Sequence, residues 1–194
     1  MTRAKEQELI RRAAAGDRSA AEACIRAHQQ SLYAYMLRMS GRPDVAEDIV
    51  QEAFVRVLTN LDRFDDRYRF STWLFTIAKR LYVNTCQKHK PIYDSDIVGA
   101  WQGADHESAW SPTRDEIQHN VRSALDECLQ MLPERQREII ILFHQQDWRI
   151  AVIARHLDMP EGTVKSHLHR GRRKLRLLLE ARETLIDHVQ EVWN

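Results

Sequence analysis

The chain has 194 residues, of which 43% are hydrophobic, and a formal net charge of +1 at pH 7. This length fits one large domain or two small ones, and the composition is that of a globular protein, not a disordered one. No run of 18 apolar residues is present, and the N-terminal stretch MTRAKEQELIRR lacks the apolar core of a secretory signal. We therefore expect a cytoplasmic protein.

Basic and acidic residues are distributed unevenly. Residues 1–90 carry 16 basic and 11 acidic side chains, residues 91–115 carry five acidic residues against one arginine, and residues 116–194 carry 12 of each. The middle stretch also holds two of the five prolines. This shift predicts a linker over 91–115 between two domains. A solvated tether is the simpler interpretation, and a tether lying along a basic groove is the alternative.

Hydrophobic periodicity predicts only helices, since no stretch alternates with period two for long enough to be a strand. Helix stop and start signals separate the first three predicted helices, at Gly16-Asp17 and at Gly41-Arg42-Pro43. The predicted fold is all-α, with two small helical domains joined by a flexible linker. The predicted helices lie near 4–15, 18–39, 43–60, 71–88, 114–131, 133–145, 149–157 and 161–188.

The last predicted helix contains EGTVKSHLHRGRRKL, which has no acidic residue after Glu161. On a helical projection an apolar stripe lies opposite a basic face. Gly171 falls on the apolar stripe, where it costs about 1 kcal/mol relative to alanine, so we expect another helix to approach closely there. The stripe contains Val164, Leu168, Gly171, Leu175, Leu178 and Leu179.

A short apolar helix and the turn at 158–162 precede this basic helix, a pattern typical of a helix-turn-helix whose second helix enters the DNA major groove. Lysine and arginine neutralise phosphates, and arginine reads guanine edges. The alternative is a surface helix that is basic for solubility, but the missing acidic partners favour DNA. The candidate contacts are Thr163, Lys165, Ser166, His169, Arg170, Arg172 and Arg173.

Residues 132–180, LPERQREIIILFHQQDWRIAVIARHLDMPEGTVKSHLHRGRRKLRLLLE, resemble region 4 of the extracytoplasmic-function (ECF) sigma factors of bacterial RNA polymerase, in the sigma-70 family. Residues 46–90, AEDIVQEAFVRVLTNLDRFDDRYRFSTWLFTIAKRLYVNTCQKHK, are similar to their region 2. The resemblance implies an alternative sigma factor that binds the β and β′ subunits of core polymerase and promoter DNA. It also implies an anti-sigma factor, soluble or membrane-bound, and a tether passing toward the polymerase active-site channel.

In the helix near 43–60 the predicted buried stripe is Ile49, Val50, Ala53, Phe54, Val57 and Leu58. The exposed residues include a like-charge pair, Asp48 and Glu52, which suits a basic partner surface. The alternative is that Glu52 pairs with Arg56 on a solvated face. The resemblance implies that this face binds the β′ coiled coil, through Asp48, Gln51, Glu52 and Val55.

The loop from Arg63 to Phe70 alternates aromatic residues with arginines. This pattern suits the binding of unpaired bases, because a base can stack on an aromatic ring while an arginine binds its phosphate. The next helix has Ser71 as its expected N-cap, and Trp73 and Phe75 are expected in the core. The resemblance implies that this loop and helix capture a flipped base and melt the minus-10 element. The candidates are Arg63, Arg67, Tyr68, Arg69, Thr76, Lys79, Arg80, Val83 and Asn84.

Several positions depart from the family pattern, among them Lys79-Arg80 where relatives commonly have Arg-Asn and Asn84 where they have Asp. Arg149 stands where most relatives have a Ser or Thr cap, so we expect Asp147 to cap the first helix of the helix-turn-helix. Val152 stands where a glutamate often helps to read the minus-35 element. The resemblance therefore does not give the promoter sequence.

Other functions are disfavoured. Cys24, Cys86 and Cys128 lack metal-ligand spacing and are expected to be small buried or half-buried thiols. His144, His156, His167 and His169 suggest a metal site, but His167 and His169 point about 160° apart on a helix and cannot chelate together. We expect no metal, no cofactor and no small-molecule substrate.

Two further classes of function have less support in the sequence. An enzyme lacks support because no phosphate-binding or metalloprotease motif is present, and its catalytic acids would be Asp65 and Asp66. The chain is therefore predicted not to be an enzyme. A stand-alone helix-turn-helix regulator is the main alternative, and it predicts a dimer that binds duplex DNA tightly without polymerase. The acidic face and the aromatic loop of the first domain argue against it.

Overall fold

The computed structural model describes residues 2–88 and 123–193, with side chains for residues 2–87 and 123–182. Within these ranges every regular element is a helix and none is a strand, so the all-α prediction is confirmed. The predicted linker at 91–115, both domain boundaries and the start of the helix near 114 lie outside the described residues. The elements are α1 (Arg3–Ala14), α2 (Arg18–Ser40), α3 (Pro43–Leu58), a 3-10 turn (Leu61–Arg63), α4 (Phe70–Lys88), α5 (described over 123–130), α6 (Glu134–His144), α7 (Ile150–Leu157) and α8 (Glu161–Trp193).

The breaks between α1, α2 and α3 lie where the sequence predicts them. Gly16 and Gly41 have positive φ angles of 92° and 69°, which a residue without a Cβ adopts at little cost. Asp17 caps α2 by accepting from the backbone N–H of Ala20 at 3.1 Å. Arg12 hydrogen-bonds the same carboxylate and lowers the pKa of Asp17 to about 2. Pro43 is the first residue of α3, where its missing N–H costs nothing.

The first unit, α1–α4, is held together by one apolar core between α2, α3 and α4. The Tyr35 ring of α2 packs on the Phe75 ring of α4 with centroids 5.0 Å apart, and both residues are fully buried, as are Leu32 and Leu74. The predicted stripe of α3 is buried except for Leu58, which is half-buried. Each helix thus presents its apolar face inward, as its periodicity predicts.

The second unit, α5–α8, packs α8 across α6 and α7. Val164, Leu168 and Gly171 of α8 are buried, as the apolar stripe predicts. A Cβ added at Gly171 would lie 2.8 Å from Cδ1 of Ile140 and 3.3 Å from Cβ of Gln136, both on α6. The close approach predicted at Gly171 is confirmed, and glycine is what lets the two helices meet there.

The two units also pack against each other. Phe75 of α4 contacts Trp148 with ring centroids 5.7 Å apart. At the other end of the interface, Arg38 of α2 pairs with Asp126 of α5 at 2.6 Å, and Gln130 Nε2 donates to the Arg38 carbonyl at 2.7 Å. The hydrophobic core is therefore continuous from one unit to the other.

Three local predictions are wrong. Helix α4 begins at Phe70, so Ser71 lies inside the helix and does not cap it. Asp147 adopts a left-handed φ of 52°, and the residue before α7, Arg149, makes no side-chain cap bond, so no carboxylate caps that helix. Cys86 is exposed on α4, whereas Cys24 and Cys128 are buried as expected.

No described helix has both the length and the apolar character needed to cross a bilayer.

Candidate nucleic-acid interface

Helices α7 and α8 form a helix-turn-helix. α7 ends at Asp158, which adopts the left-handed conformation, and the N–H of Met159 bonds back to the carbonyl of Ala154 at 2.9 Å. The carbonyl of Pro160 then accepts from the N–H groups of Thr163 and Val164, which starts α8. Because Ile153 of α7 and the apolar stripe of α8 are buried together, the opposite face of α8 points to solvent.

That outward face of α8 is basic. Lys165, Ser166, His169, Arg170 and Arg173 are all exposed on it, and Thr163 is half-buried at its start. The Nε of Arg170 donates to the Ser166 carbonyl at 3.3 Å, which leaves its two terminal amino groups with no recorded partner among the described residues. The structure therefore brings these six predicted minus-35 residues onto one helical face.

Arg172 departs from this set. Its guanidinium carbon lies 5.0 Å from the ring centroid of Phe143, and its Nε donates to His144 Nε2 at 2.9 Å. Burial and the charge of Arg172 both lower the pKa of His144, which suits an imidazole nitrogen that must accept this bond. Arg172 thus joins α8 to α6, and it is less free to bind DNA than Arg170 or Arg173.

The loop between Arg63 and Phe70 presents a single exposed aromatic ring. Phe64 and Phe70 pack on each other and on Trp73, with ring centroids 5.3 to 6.1 Å apart, so they belong to the core side of the loop. Tyr68 is 51% exposed. The guanidinium of Arg155, on α7, lies 5.8 Å from the Tyr68 ring. Trp73 is half-buried and Phe75 fully buried, so both contribute to the core as expected.

The three loop arginines are exposed. Arg67 is held by Asp65 through a bidentate pair, with contacts of 3.0 and 2.6 Å, and its own N–H also donates to the Asp65 carboxylate. The Arg67 bond is the main reason why the pKa of Asp65 is lowered. The Asp65 carboxylate is therefore engaged by Arg67 within the loop. Arg63 and Arg69 make no recorded side-chain contact among the described residues.

On α4 the structure separates the predicted residues into two groups. Arg80 and Asn84 are exposed, and Val83 is half-buried. Thr76 and Lys79 instead face the second unit. The Nζ of Lys79 pairs with the fully buried carboxylate of Glu138, and Oγ1 of Thr76 lies 3.0 Å from Nδ1 of His156. These two candidates are occupied by contacts between the units.

Glu138 is the centre of a buried polar cluster that was not predicted from the sequence. Besides Lys79, its carboxylate accepts from the Tyr35 hydroxyl at 3.1 Å and lies 3.7 Å from the guanidinium of Arg135. Burial, then the charge and hydrogen bond of Glu138, raise the pKa of Tyr35. The available signal was an acid inside the apolar run EIIILF of α6, because a carboxylate with apolar neighbours requires a partner when buried.

His156 completes this cluster. Its side chain is 1% exposed and its ring packs edge-on against Trp148. The Thr76 hydroxyl donates its proton to the Thr72 carbonyl. The Thr76 oxygen therefore accepts a hydrogen bond from Nδ1–H of a neutral His156. Burial, then the charges of Lys79 and Arg80, lower the pKa of His156 to about 4. Within the described residues, no group of His, Cys, Asp and Glu side chains is arranged to hold a metal ion.

A third surface lies on the far side of the first unit. Asp48, Gln51, Glu52 and Val55 are exposed on α3, and Val55 is 57% exposed despite being apolar. Glu52 pairs with Arg56 at 2.6 Å, as the solvated-face alternative predicted, while Asp48 has no recorded partner among the described residues. The face is therefore acidic at one end and apolar at the other.

Comparison with known proteins identifies the family. The Sigma-70 region 2 model matches residues 24–91, and the Sigma-70, region 4 model matches residues 122–175. The ECF RNA polymerase sigma factor SigW of Bacillus subtilis is 32% identical over 177 residues, or 88% of this chain and 94% of SigW. SigX of the same organism is 33% identical over 168 residues, or 82% of this chain and 84% of SigX.

A solved structure agrees with these relatives. The sigma factor RpoE of Bartonella quintana, crystallised with the anti-sigma factor NepR, is 26% identical with a TM-score of 0.64. The match covers 82% of this chain and 96% of RpoE. Both the sequence relatives and the fold lead to the same conclusion: this chain belongs to the ECF RNA polymerase sigma factors.

Proposed function

We propose that this protein binds core RNA polymerase and directs it to specific promoters, by contacting both the minus-35 and the minus-10 elements. The observation that carries the proposal is the exposed basic face of α8, set on a helix-turn-helix whose other face is buried. A helix of this kind fits the major groove, where lysine and arginine meet phosphates and base edges. Membership in the ECF family supports the assignment.

The minus-35 element is the proposed target of α8. Arg170 and Arg173 project from the middle of the exposed face, where a guanidinium can bond bidentately to a guanine edge. Thr163, Lys165, Ser166 and His169 provide further hydrogen-bond donors on the same face. Arg172 has the smaller role of holding α8 to α6, because its guanidinium is already engaged by Phe143 and His144.

The minus-10 element is the proposed target of the Arg63–Phe70 loop and the exposed part of α4. Tyr68 offers a ring for an unpaired base, and Arg63, Arg67 and Arg69 surround it with positive charge. Arg80, Val83 and Asn84 continue this surface along α4. Thr76 and Lys79 become available only if α6 and α7 move away, so we propose that the two units separate when the protein binds polymerase.

Core polymerase is the proposed partner of the α3 face. Asp48 and Glu52 supply negative charge, and Val55 adds an exposed apolar contact beside Gln51. Charge at the rim of an interface guides association, and an apolar residue at its centre adds affinity. A basic surface of the β′ coiled coil is the expected complement, with the β subunit as the partner of the second unit.

We further propose an anti-sigma factor that binds between or around the two units, because the related RpoE was crystallised with one. As a polymerase subunit the protein acts in the cytoplasm, where transcription takes place. Its role is in initiation, without chemistry of its own.

The function is tested by transcription in vitro with purified protein, sigma-free core polymerase and fragmented genomic DNA, with the start sites sequenced. We expect discrete starts that share upstream elements and disappear when the protein is omitted. Absence of such starts, together with tight duplex binding by the protein alone, would instead indicate a stand-alone regulator.

The docking surface is tested separately with the double variant Asp48→Lys/Glu52→Lys. We expect its affinity for core polymerase to fall at least about tenfold, because two attractive charges become repulsive. The matched control is Glu8→Lys/Glu22→Lys, which makes the same change in net charge at exposed acids of α1 and α2. Equal affinity of the two variants would show that the α3 face does not bind the polymerase.

A further inference from the structure

Helix α1 holds the backbone of the Arg63–Phe70 loop. One terminal amino group of Arg3 donates to the carbonyls of Asp66 and Arg67, at 3.1 and 3.0 Å. Gln7, one helical turn later, donates from Nε2 to the Asp66 carbonyl at 3.1 Å. Both side chains thus bind main-chain oxygens of the loop, so their effect does not depend on which side chains the loop carries.

The position of α1 is itself fixed from the other side. Ile10 is buried in the core, and Oε1 of Glu6 lies 3.0 Å from Nε2 of His28 on α2, with both side chains at most 15% exposed. The His28 ring lies 5.2 Å from the ring of Phe70, the residue that starts α4. Helix α1 is therefore linked to the loop at two places. Arg3 and Gln7 bond to the tip of the loop, and His28, which contacts α1, packs on Phe70 at its end.

The two bonded carbonyls belong to consecutive peptide units, one on each side of the Arg67 Cα. Residues 65–68 form a turn in which the N–H of Tyr68 bonds to the Asp65 carbonyl at 3.1 Å. Arg3 bonds to the carbonyls before and after the Arg67 Cα, and this restrains the backbone from which the Arg67 and Tyr68 side chains project. A turn anchored in this way loses less conformational freedom when it binds a base.

We infer that Arg3 and Gln7 are positioning residues that preset the loop for capture of an unpaired base during promoter melting. The inference rests on the proposed function of the loop. It extends that function to α1, which precedes the residues matched by the Sigma-70 region 2 model, 24–91.

Three variants of the full chain test the inference. Arg3→Ala/Gln7→Ala removes all three bonds, and Gln7→Ala removes one of them without changing the net charge. Lys5→Ala is the matched control, since it removes a cation from the exposed side of α1, where no side-chain contact is recorded. A charge effect would therefore change Lys5→Ala and spare Gln7→Ala, and positioning would do the reverse.

The first readout is amide hydrogen exchange of residues 63–70 in the free protein. We expect exchange to rise about three- to tenfold in Arg3→Ala/Gln7→Ala, as loss of hydrogen bonds of ordinary strength predicts, and less in Gln7→Ala. Lys5→Ala should match the wild type. Unchanged exchange in the double variant would overturn the inference, and this result does not depend on polymerase or DNA.

The second readout is open-complex formation with core polymerase, on a promoter taken from the mapped start sites. On duplex DNA the double variant should open about three- to tenfold less promoter, and its complex with the same DNA carrying a premelted bubble should weaken by a similar factor, because the loop must order around the base in both cases. Core binding should stay within about twofold of wild type. A merely structural defect would also weaken core binding, and that outcome overturns the inference. If the wild type itself gives no starts, the proposed function fails, while the exchange result still decides the role of α1.

Discussion

The two proposed DNA-binding surfaces differ in how free they are. The basic face of α8 points to solvent, and among the described residues only Arg172 of its predicted contacts is engaged by another helix. On α4, by contrast, Thr76 and Lys79 are bound by His156 and Glu138 of the second unit. The loop before α4 is intermediate, since Tyr68 is half exposed but lies beside Arg155.

This difference indicates an order of events. Under the proposed function, the α8 face can meet duplex DNA as it stands, whereas Thr76 and Lys79 of α4 must first exchange their contacts with α6 and α7 for contacts with DNA. The exchange is chemically balanced, because Lys79 gives up a carboxylate and can gain a phosphate. We therefore propose that Lys79 serves two partners in turn, with the buried cluster around Glu138 setting the free-energy cost of the change.

The largest expected effect comes from breaking that cluster. Glu138→Ala leaves Lys79 unpaired at a site where it is only 14% exposed, and removing one partner of a buried pair typically costs about 3–5 kcal/mol. We expect a loss of this size in the free energy of unfolding, measured by urea denaturation. Glu134→Ala, at an exposed site on the first turn of the same helix, is the control and should cost less than about 1 kcal/mol. Equal losses would show that Glu138 does not support the interface.

The next effect concerns pH. The pKa of His156 is about 4 in the folded protein, below its ordinary value of about 6.5, so the unfolded chain binds a proton in between and the folded one does not. The stability from His156 is therefore complete above pH 6.5 and falls as the pH drops toward 4, by about 2 kcal/mol between pH 7.5 and 5. Glu138, 3.9 Å from Nε2, opposes this trend, but it is already paired with Lys79.

The variant His156→Gln keeps a donor for Thr76 and cannot titrate. Its free energy of unfolding, measured by urea denaturation at the same pH values, should decrease much less between pH 7.5 and 5 than that of the wild type. A decrease of the same size in both proteins would assign the pH dependence to other groups.

On α8 the comparison is between two neighbouring arginines. Arg170→Ala should weaken promoter binding by the holoenzyme by about 1–3 kcal/mol if it reads a base edge. Arg172→Ala should weaken it less, because that side chain is engaged by Phe143 and His144. Binding to the native promoter and to one with altered minus-35 bases distinguishes the roles, since a uniform loss on both would make Arg170 a phosphate contact.

The smallest effect tests the buried side of α8. Gly171→Val places atoms where even a Cβ would lie 2.8 Å from Ile140, and such overpacking costs about 1–3 kcal/mol. The better helix propensity of valine offsets part of this, so we expect a net loss of about 1 kcal/mol in thermal or urea unfolding. Gly162→Ala is the control, because a Cβ there meets no atom within 4 Å. A Gly171→Val variant as stable as wild type would contradict the tight contact.

The sequence predicted what depends on neighbours along the chain. Helix bounds in the first unit agree with prediction to within two residues, because Gly16, Gly41 and Pro43 act locally. The exposed face of α8 was predictable for the same reason. The contact of Lys79 with Glu138 was not, because it joins two units across the 91–115 segment and leaves no periodic signal. The Asp147 cap failed because the residue adopts a left-handed conformation that the pattern does not encode.

The separation of the two units is tested most directly by a distance measurement. Spin labels at Gln29→Cys on α2 and Ala151→Cys on α7 occupy exposed positions outside the proposed contact residues, in a background with the exposed Cys86 changed to Ser. Pulsed electron paramagnetic resonance should give a single population of short distances between the two labels in the free protein. When core polymerase is bound, the distance should be longer. The same short distance in both states, in a complex active in transcription, would contradict the exchange of Lys79 from Glu138 to DNA.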